Sequence, residues 1–143
     1  GDGQYPTADV LALDEALETY GAVIGSRFLD MTDNEVPAWR RLGVRFLTGL
    51  ANRRFGTDLS ELHSGARAYR ADTLRDVDYG RFSDDYLFDH QMLAALLADG
   101  RSLGEQKVRC HYGEGSLSIS PWRAVVYGVG VMGTLLRPPR SLP

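Results

Sequence analysis

At 143 residues the chain is long enough for one domain with a sizeable core and too short for two. A hydrophobic fraction of 43% and a charged fraction of 24% exclude disordered and fibrous classes, and a formal net charge of -3 gives no global reason to bind nucleic acid. The one cysteine, Cys110, excludes an internal disulfide, fits a reducing compartment, and lies in an apolar-alternating stretch that suits a buried thiol better than a nucleophile.

In chain order, Thr7 is placed to cap a helix over 7–20, with Val10, Leu13, Leu17 and Tyr20 on one face and Gly21 closing it. Ala22-Val23-Ile24, between glycines, predicts a buried strand. A polar loop leads to Pro37, which opens a long helix to Phe55, stopped by Gly56. Trp39, Leu42, Phe46, Leu47, Leu50 and Ala51 give that helix an apolar stripe, and its arginines a cationic flank. A strand is expected over 66–69, a short helix over 70–75, and a helix over 84–98 capped by Ser83 or Asp84. A strand near a sheet edge follows over 103–112, then a helix opened by Pro121 in which Trp122, Val125, Val126, Val129, Met132 and Leu136 recur at helical spacing. Alternating strands and helices imply an α/β layer fold, with fewer strands than a doubly wound sheet needs. The longest apolar run, 124–136, is shorter than the ~20 residues that span a bilayer.

Five places offer chemistry. Asp2 and Gln4 are oxygen donors one residue apart, a spacing that suits a hard cation on a diphosphate, although Asp-Gly is equally a turn dipeptide. Arg27 leaves the carboxyl end of the first strand, where open α/β sheets bind ligands; it is either a phosphate grip or a solvated loop residue. Arg40 and Arg41, at the start of the long helix, pose the same choice. The segment from His63 through Ser64, Gly65 and Arg67 to Arg70 sets a hydroxyl and backbone donors beside a guanidinium, with His63 readable as an ordinary turn residue. Asp89 sits on an otherwise apolar helix and either faces a site or pairs with an arginine.

Taken in order, six segments resemble the C-terminal half of a family 2, GT-A-fold glycosyltransferase, nearest the dolichyl- or polyprenyl-phosphate sugar transferases. They are Asp2-Gly3-Gln4-Tyr5-Pro6, Ile24-Gly25-Ser26-Arg27, Trp39-Arg40-Arg41, the run from His63 to Arg70, the run from Ser83 to Asp89, and Tyr112-Gly113-Glu114-Gly115-Ser116. The resemblance implies a partial GT-A fold, a mixed sheet flanked by helices, in which 1–120 form the acceptor-side half and 121–143 an amphipathic helix with a Pro-rich tail. It implies that the nucleotide-binding half and the first metal Asp precede this sequence, so that the chain alone is inactive.

By the same resemblance, Asp2 and Gln4 hold Mg²⁺ or Mn²⁺ on a UDP- or GDP-linked sugar, and Arg27 with Arg40 or Arg41 grips a lipid phosphate acceptor. His63, Ser64, Gly65 and Arg67 line the junction of sugar and acceptor, with Arg67 and Asp89 as catalytic groups. Asp85 and Glu114 contribute to donor and acceptor binding. A phosphate acceptor is already anionic, so catalysis reduces to in-line positioning and charge stabilisation, with inversion. Ala66 replaces an aromatic common in this group, Gln91 replaces an acid, and the glycine-rich loop lacks its usual basic residue.

Two other readings stay open: a related enzyme using a glycan or small-molecule hydroxyl, which would need Asp89 as base, and a non-catalytic module that binds an anionic partner. The last helix either packs on its own domain or a partner copy, or lies at a membrane surface with Trp122 and Arg123 among the headgroups. The expected location is the cytoplasmic membrane face, and an uncovered sheet edge would favour homodimers.

Overall fold

Ala22–Ser26 is a run of small and apolar residues, and all five are buried, because this strand (β1) is covered on both edges and both faces. A computed structural model describes residues 5–30, 37–110 and 120–137. On one edge of β1 lies β2 (Arg67–Tyr69), antiparallel, with Ala22 opposite Tyr69 and Ile24 opposite Arg67. On the other lies β3 (Leu103–Lys107), parallel, with Ala22 opposite Leu103 and Ser26 opposite Lys107. The sheet order is therefore β2-β1-β3, a small mixed sheet with helices around it, in agreement with the α/β expectation.

The helices depart from expectation mainly at their ends. α1 (Thr7–Ala16) starts behind Pro6, with no side-chain cap from Thr7. It stops four residues before Tyr20, because the Leu17, Glu18 and Thr19 amides tighten onto the carbonyls three residues back. α2 (Ala38–Phe55) follows Pro37, and Gly56 closes it with φ 70° and a backbone N–H that donates a hydrogen bond to the Asn52 carbonyl. After α3 (Ala71–Arg75) and one 3-10 turn at Tyr79–Arg81 comes α4 (Phe88–Ala98), which begins later than the expected position 84. The Ser83 amide donates to Gln91 Oε1 at 2.7 Å and the Leu87 amide to Asp85 Oδ1 at 2.8 Å, so 83–87 form a turn leading into α4. In α5 (Pro121–Leu136) the Ser120 hydroxyl accepts the Arg123 amide as a cap.

Ile24, Ala51, Leu62, Leu93, Val131 and Leu135 form one cluster that joins β1, α2, α4 and α5. Leu13, Val23, Ala66 and Val108 form a second under α1, and Ala22, Val77, Phe82, Met92 and Leu96 belong to a third. Cys110 is buried, as its alternating surroundings suggest.

The stripe expected on α5 points outward. Trp122, Val125, Val126, Val129, Met132 and Leu136 are exposed, while Val131, Thr134 and Leu135 face the core. Likewise on α2 Ala51 is buried but Trp39, Leu42 and Phe46 are exposed.

Gly25 leaves no room for a side chain between the layers. A Cβ there would lie 2.7 Å from Val108 Cγ1 and 2.9 Å from Ala66 Cβ, neither at the end of a flexible chain. Gly25→Ala is expected to cost about 1–3 kcal/mol of stability, as overpacking does. A urea titration checks this, and an unchanged midpoint would refute the close packing.

Candidate functional site: the rim at the strand ends

Because β1 and β3 are parallel and β2 runs against them, one rim gathers the carboxyl ends of two strands and the amino end of the third. The loop between α2 and β2 crosses this rim and is tied down at three points. Asn52 holds its start, donating to the Leu59 carbonyl at 2.8 Å and accepting the Leu59 amide at 3.1 Å. Glu105 of β3 accepts the Ser60 amide at 2.9 Å, the Ser60 hydroxyl at 2.7 Å and the Glu61 amide at 3.1 Å. The Ser26 and Ser60 hydroxyls meet at 2.6 Å.

Arg27 closes onto this loop. Its backbone amide and Nε donate to Glu61 Oε2 at 3.0 and 3.1 Å, its Nη2 pairs with Oε1, and the Glu61 side chain has no exposed surface. The residue read as a phosphate grip is thus the partner of a buried carboxylate. Neither Glu61 nor Glu105 was singled out in the sequence. The available signal was an acid held between Leu59 and Leu62 beside His63, in a loop that would otherwise be solvated.

Arg67 is different. Its Nε donates to the Ser64 carbonyl at 2.8 Å and its Nη2 to the Leu62 carbonyl at 3.2 Å, which fixes the turn containing Ser64 and Gly65. Nη1 has no hydrogen-bond partner and faces Asp89 Oδ1 across 3.5 Å. The Arg67 side chain is 5% exposed and that of Asp89 53%, so the carboxylate is free to swing into solvent while the guanidinium is not. Of the two alternatives for Asp89, the structure shows the pairing with an arginine.

Tyr5 Oη lies 3.3 Å from Ser64 Oγ, which brings the start of the described chain onto the same turn. Gly65 is exposed there, with Tyr5 Oη 3.9 Å from where its Cβ would be. Two further ion pairs complete the rim, Lys107 with Asp30 and Arg109 with Asp9. The Arg109 guanidinium lowers the Asp9 carboxyl from its usual range, and burial raises the Tyr5 phenol.

Behind Arg67, His63 meets two aromatic partners that no sequence signal announced, His90, which is buried, and Tyr127, which is half-buried. His63 Nδ1 and Tyr127 Oη are 2.8 Å apart, 64 residues distant in the chain, and the tautomer decides which donates. The His63 ring stacks on His90 of α4 with centroids 5.5 Å apart. His63 Nε2 and both ring nitrogens of His90 are buried without hydrogen-bond partners. Burial first, then neighbouring positive charge, holds His63 well below its ordinary value and His90 down to about 4. Both rings are neutral at pH 7, which suits a wall against a charged ligand more than a proton shuttle.

The other candidates lie elsewhere. Arg40, stacked over the Trp39 ring at 5.2 Å, and Arg41 stand at the far end of α2, ~18 Å along its axis from Asn52 at 1.5 Å per residue. Asp85 is exposed and serves the turn into α4. Asp2, Gln4 and Glu114 lie outside the described residues. Among the described residues no group of three or more His, Cys, Asp or Glu side chains could hold a metal ion. A polar cleft lined by Tyr20, Gly21, Arg70, Asp72 and Arg101 opens at the opposite end of the sheet, where both arginines are paired with aspartates.

The chain can be set beside a known protein. Over 82 residues, 54% of this chain, the sequence is 35% identical to glycosyltransferase AglJ of Haloferax volcanii. The similarity is to a sugar-transferring enzyme. The chain spans 26% of the length of that relative. No protein-family model and no solved structure matches the chain. Among the described residues no helix is long and apolar enough to cross a membrane.

Proposed function

We propose that this chain carries the acceptor side of a family 2 glycosyltransferase. It would move a sugar from a UDP- or GDP-linked donor to a polyprenyl or dolichyl phosphate, with inversion. The acceptor phosphate oxygen bonds to the anomeric carbon as the bond to the nucleoside diphosphate breaks. The observation that supports this most is Arg67, a buried guanidinium whose Nη1 lacks a hydrogen-bond partner and whose carboxylate neighbour is half exposed. An incoming phosphate can displace Asp89 and take Nη1, gaining a charge-assisted bond from a donor already fixed in direction. Arg27 would then act by holding the loop with Glu61 rather than by touching phosphate.

Mg²⁺ or Mn²⁺ would be held by Asp2 and Gln4, oxygen donors suited to a hard cation. Tyr5, which follows Gln4 in the chain, meets Ser64 on the turn that Arg67 fixes; the cation would neutralise the diphosphate as it departs on the side opposite the attacking phosphate.

The test is a thermal-shift titration of the chain with a short isoprenyl phosphate, the corresponding alcohol, and UDP or GDP with and without Mn²⁺. Stabilisation by the phosphate and not the alcohol is expected, weakened roughly tenfold in Arg67→Lys, which keeps the charge but loses the planar fork. Equal response to phosphate and alcohol, or an Arg67→Lys chain that binds as well as the parent, would overturn the reading.

A further inference from the structure

Three loops enclose the polar cleft at the end of the sheet opposite the rim: the two that enter β1 and β3, and the one that leaves β2. β1, five residues long, spans ~17 Å at ~3.3 Å per residue and separates the cleft from the rim. The cleft holds about 260 Å³, just under the ~300 Å³ at which sites for drug-sized ligands begin, so it suits a smaller molecule. Arg70 and Arg101 line it from two of these loops. Both start from anchored backbone, the Arg70 amide donating to the Gly21 carbonyl at 3.0 Å and the Arg101 amide to the Leu96 carbonyl at 2.9 Å.

Both guanidinium groups are occupied, but lightly. Arg70 pairs with Asp72 and Arg101 with Asp76, and all four side chains are about half exposed, where an ion pair adds little and exchanges readily. An anion that met both guanidiniums at once would gain charge-assisted bonds from two directions. The lining carries these two cations and one carboxylate, that of Asp72. The Arg70 side chain and the Thr73 amide lower this carboxyl to about 2, so it is ionised at neutral pH. Its Oδ1 accepts Arg70 Nε at 3.2 Å and the Thr73 amide at 2.7 Å, and its Oδ2 accepts Arg70 Nη2 at 2.9 Å. When Arg70 turns to an incoming anion, two acceptor positions on Asp72 open, and neighbouring hydroxyls on the same ligand can fill them. Thr19 and Ser102 add hydroxyls of their own. The Tyr20 ring lies against Gly104, where any Cβ would collide with it, and gives the cleft a fixed apolar wall.

We propose that this cleft is a second binding site, for a small sugar phosphate whose phosphate lies between Arg70 and Arg101 and whose hydroxyls meet Asp72. The phosphate supplies the charge that two guanidiniums call for, and the ring supplies neighbouring hydroxyls for the carboxylate they release. A bare phosphate would leave Asp72 without partners for those positions, and a neutral sugar would leave Arg70 where it is. The site goes beyond the sugar-transfer reading and does not depend on it, since it shares no residue with Arg67, Ser64 or Asp89.

The experiment is calorimetric titration of the chain with glucose 6-phosphate, glucose and inorganic phosphate, with amide NMR spectra to locate the binding. Glucose 6-phosphate is expected to bind at least roughly tenfold more tightly than either part alone, which one charge-assisted bond suffices to supply. It should shift the amides of Gly21, Arg70 and Ser102. The Arg70→Gln/Arg101→Gln double variant should lose binding of both phosphates, with circular dichroism unchanged because both ion pairs are exposed. Asp72→Asn should weaken glucose 6-phosphate roughly tenfold without weakening inorganic phosphate, since it removes the hydroxyl acceptor and releases Arg70. Equal affinity for the two phosphates, no binding of glucose 6-phosphate, or undiminished binding by the folded double variant would each overturn the proposal. So would shifts at Ser64 and Gly65 in place of those in the cleft. Binding here without a response to isoprenyl phosphate would leave this site standing and remove the sugar-transfer reading; the reverse result would remove only this site.

Discussion

Arg27→Ala is expected to lower the unfolding free energy by about 3–5 kcal/mol, the usual cost of leaving a buried carboxylate without its cation. Glu61 has no exposed side-chain surface, and Arg27 supplies a backbone amide, Nε and Nη2 to it. Removing the guanidinium leaves the carboxylate with one amide donor in a site that water does not reach. The double variant Arg27→Ala/Glu61→Gln should recover a large part of the loss, because the neutral amide needs no counter-charge. Urea denaturation of both variants measures this. An Arg27→Ala chain within about 1 kcal/mol of the parent would mean that the pair is solvated, as surface ion pairs are. The site would suffer with the fold, since Glu61 and Glu105 together hold the loop that carries Ser64 and Arg67.

Acidification should destabilise the protein between pH 6.5 and about 4. His90 keeps its neutral form in the native state down to about 4, because burial and then the Arg67 charge oppose a second proton. The unfolded chain takes that proton near 6.5. Within this window the unfolded state binds more protons than the native one, so stability falls as pH falls; above 6.5 both states are neutral and nothing changes. At pH 5, His90 alone accounts for a loss of about 2 kcal/mol. His63, lowered in the same direction by burial, His90, Arg67 and Arg27, adds to it. The Asp9–Arg109 pair contributes only below the ordinary aspartate range, since the Asp9 carboxyl is lowered from 3.8. Comparing urea midpoints at pH 7 and pH 5 for the parent and for His90→Leu isolates the histidine. A parent equally stable at both values would show that the stacked rings are hydrated.

Much of the fold was legible because local chemistry decides it. Pro37 and Gly56 bracket α2 within one residue of its ends, since one cannot continue a helix backward and the other alone accepts a φ of 70° cheaply. The apolar run of β1 announced a strand covered on both sides, and it is. The ends of α1 and α4 were misjudged where side chains or tighter turns compete for the same amides, as Gln91 and Asp85 do before α4.

The rim was half legible. Arg67, Asp89 and the Ser64 turn stood out as polar groups out of keeping with their neighbours, and they do come together. Glu61, His90 and Tyr127 did not stand out, because nothing local distinguishes a buried acid or imidazole from an exposed one.

The sequence alone determined which segments form elements, that the class is α/β, and which residue types could hold an anion, for these follow from backbone preference and periodicity. Only the tertiary structure decided which way each apolar stripe faces and which cations are occupied. Helical spacing shows that Trp122, Val126 and Val129 share a face, but Val131 and Leu135 share one too, and packing on Ile24 and Leu93 chose the latter. In the same way an arginine in a sequence carries its charge but not its partner. Glu61 comes to Arg27 across 34 residues because parallel pairing of β1 with β3 puts Glu105 where it can hold the loop.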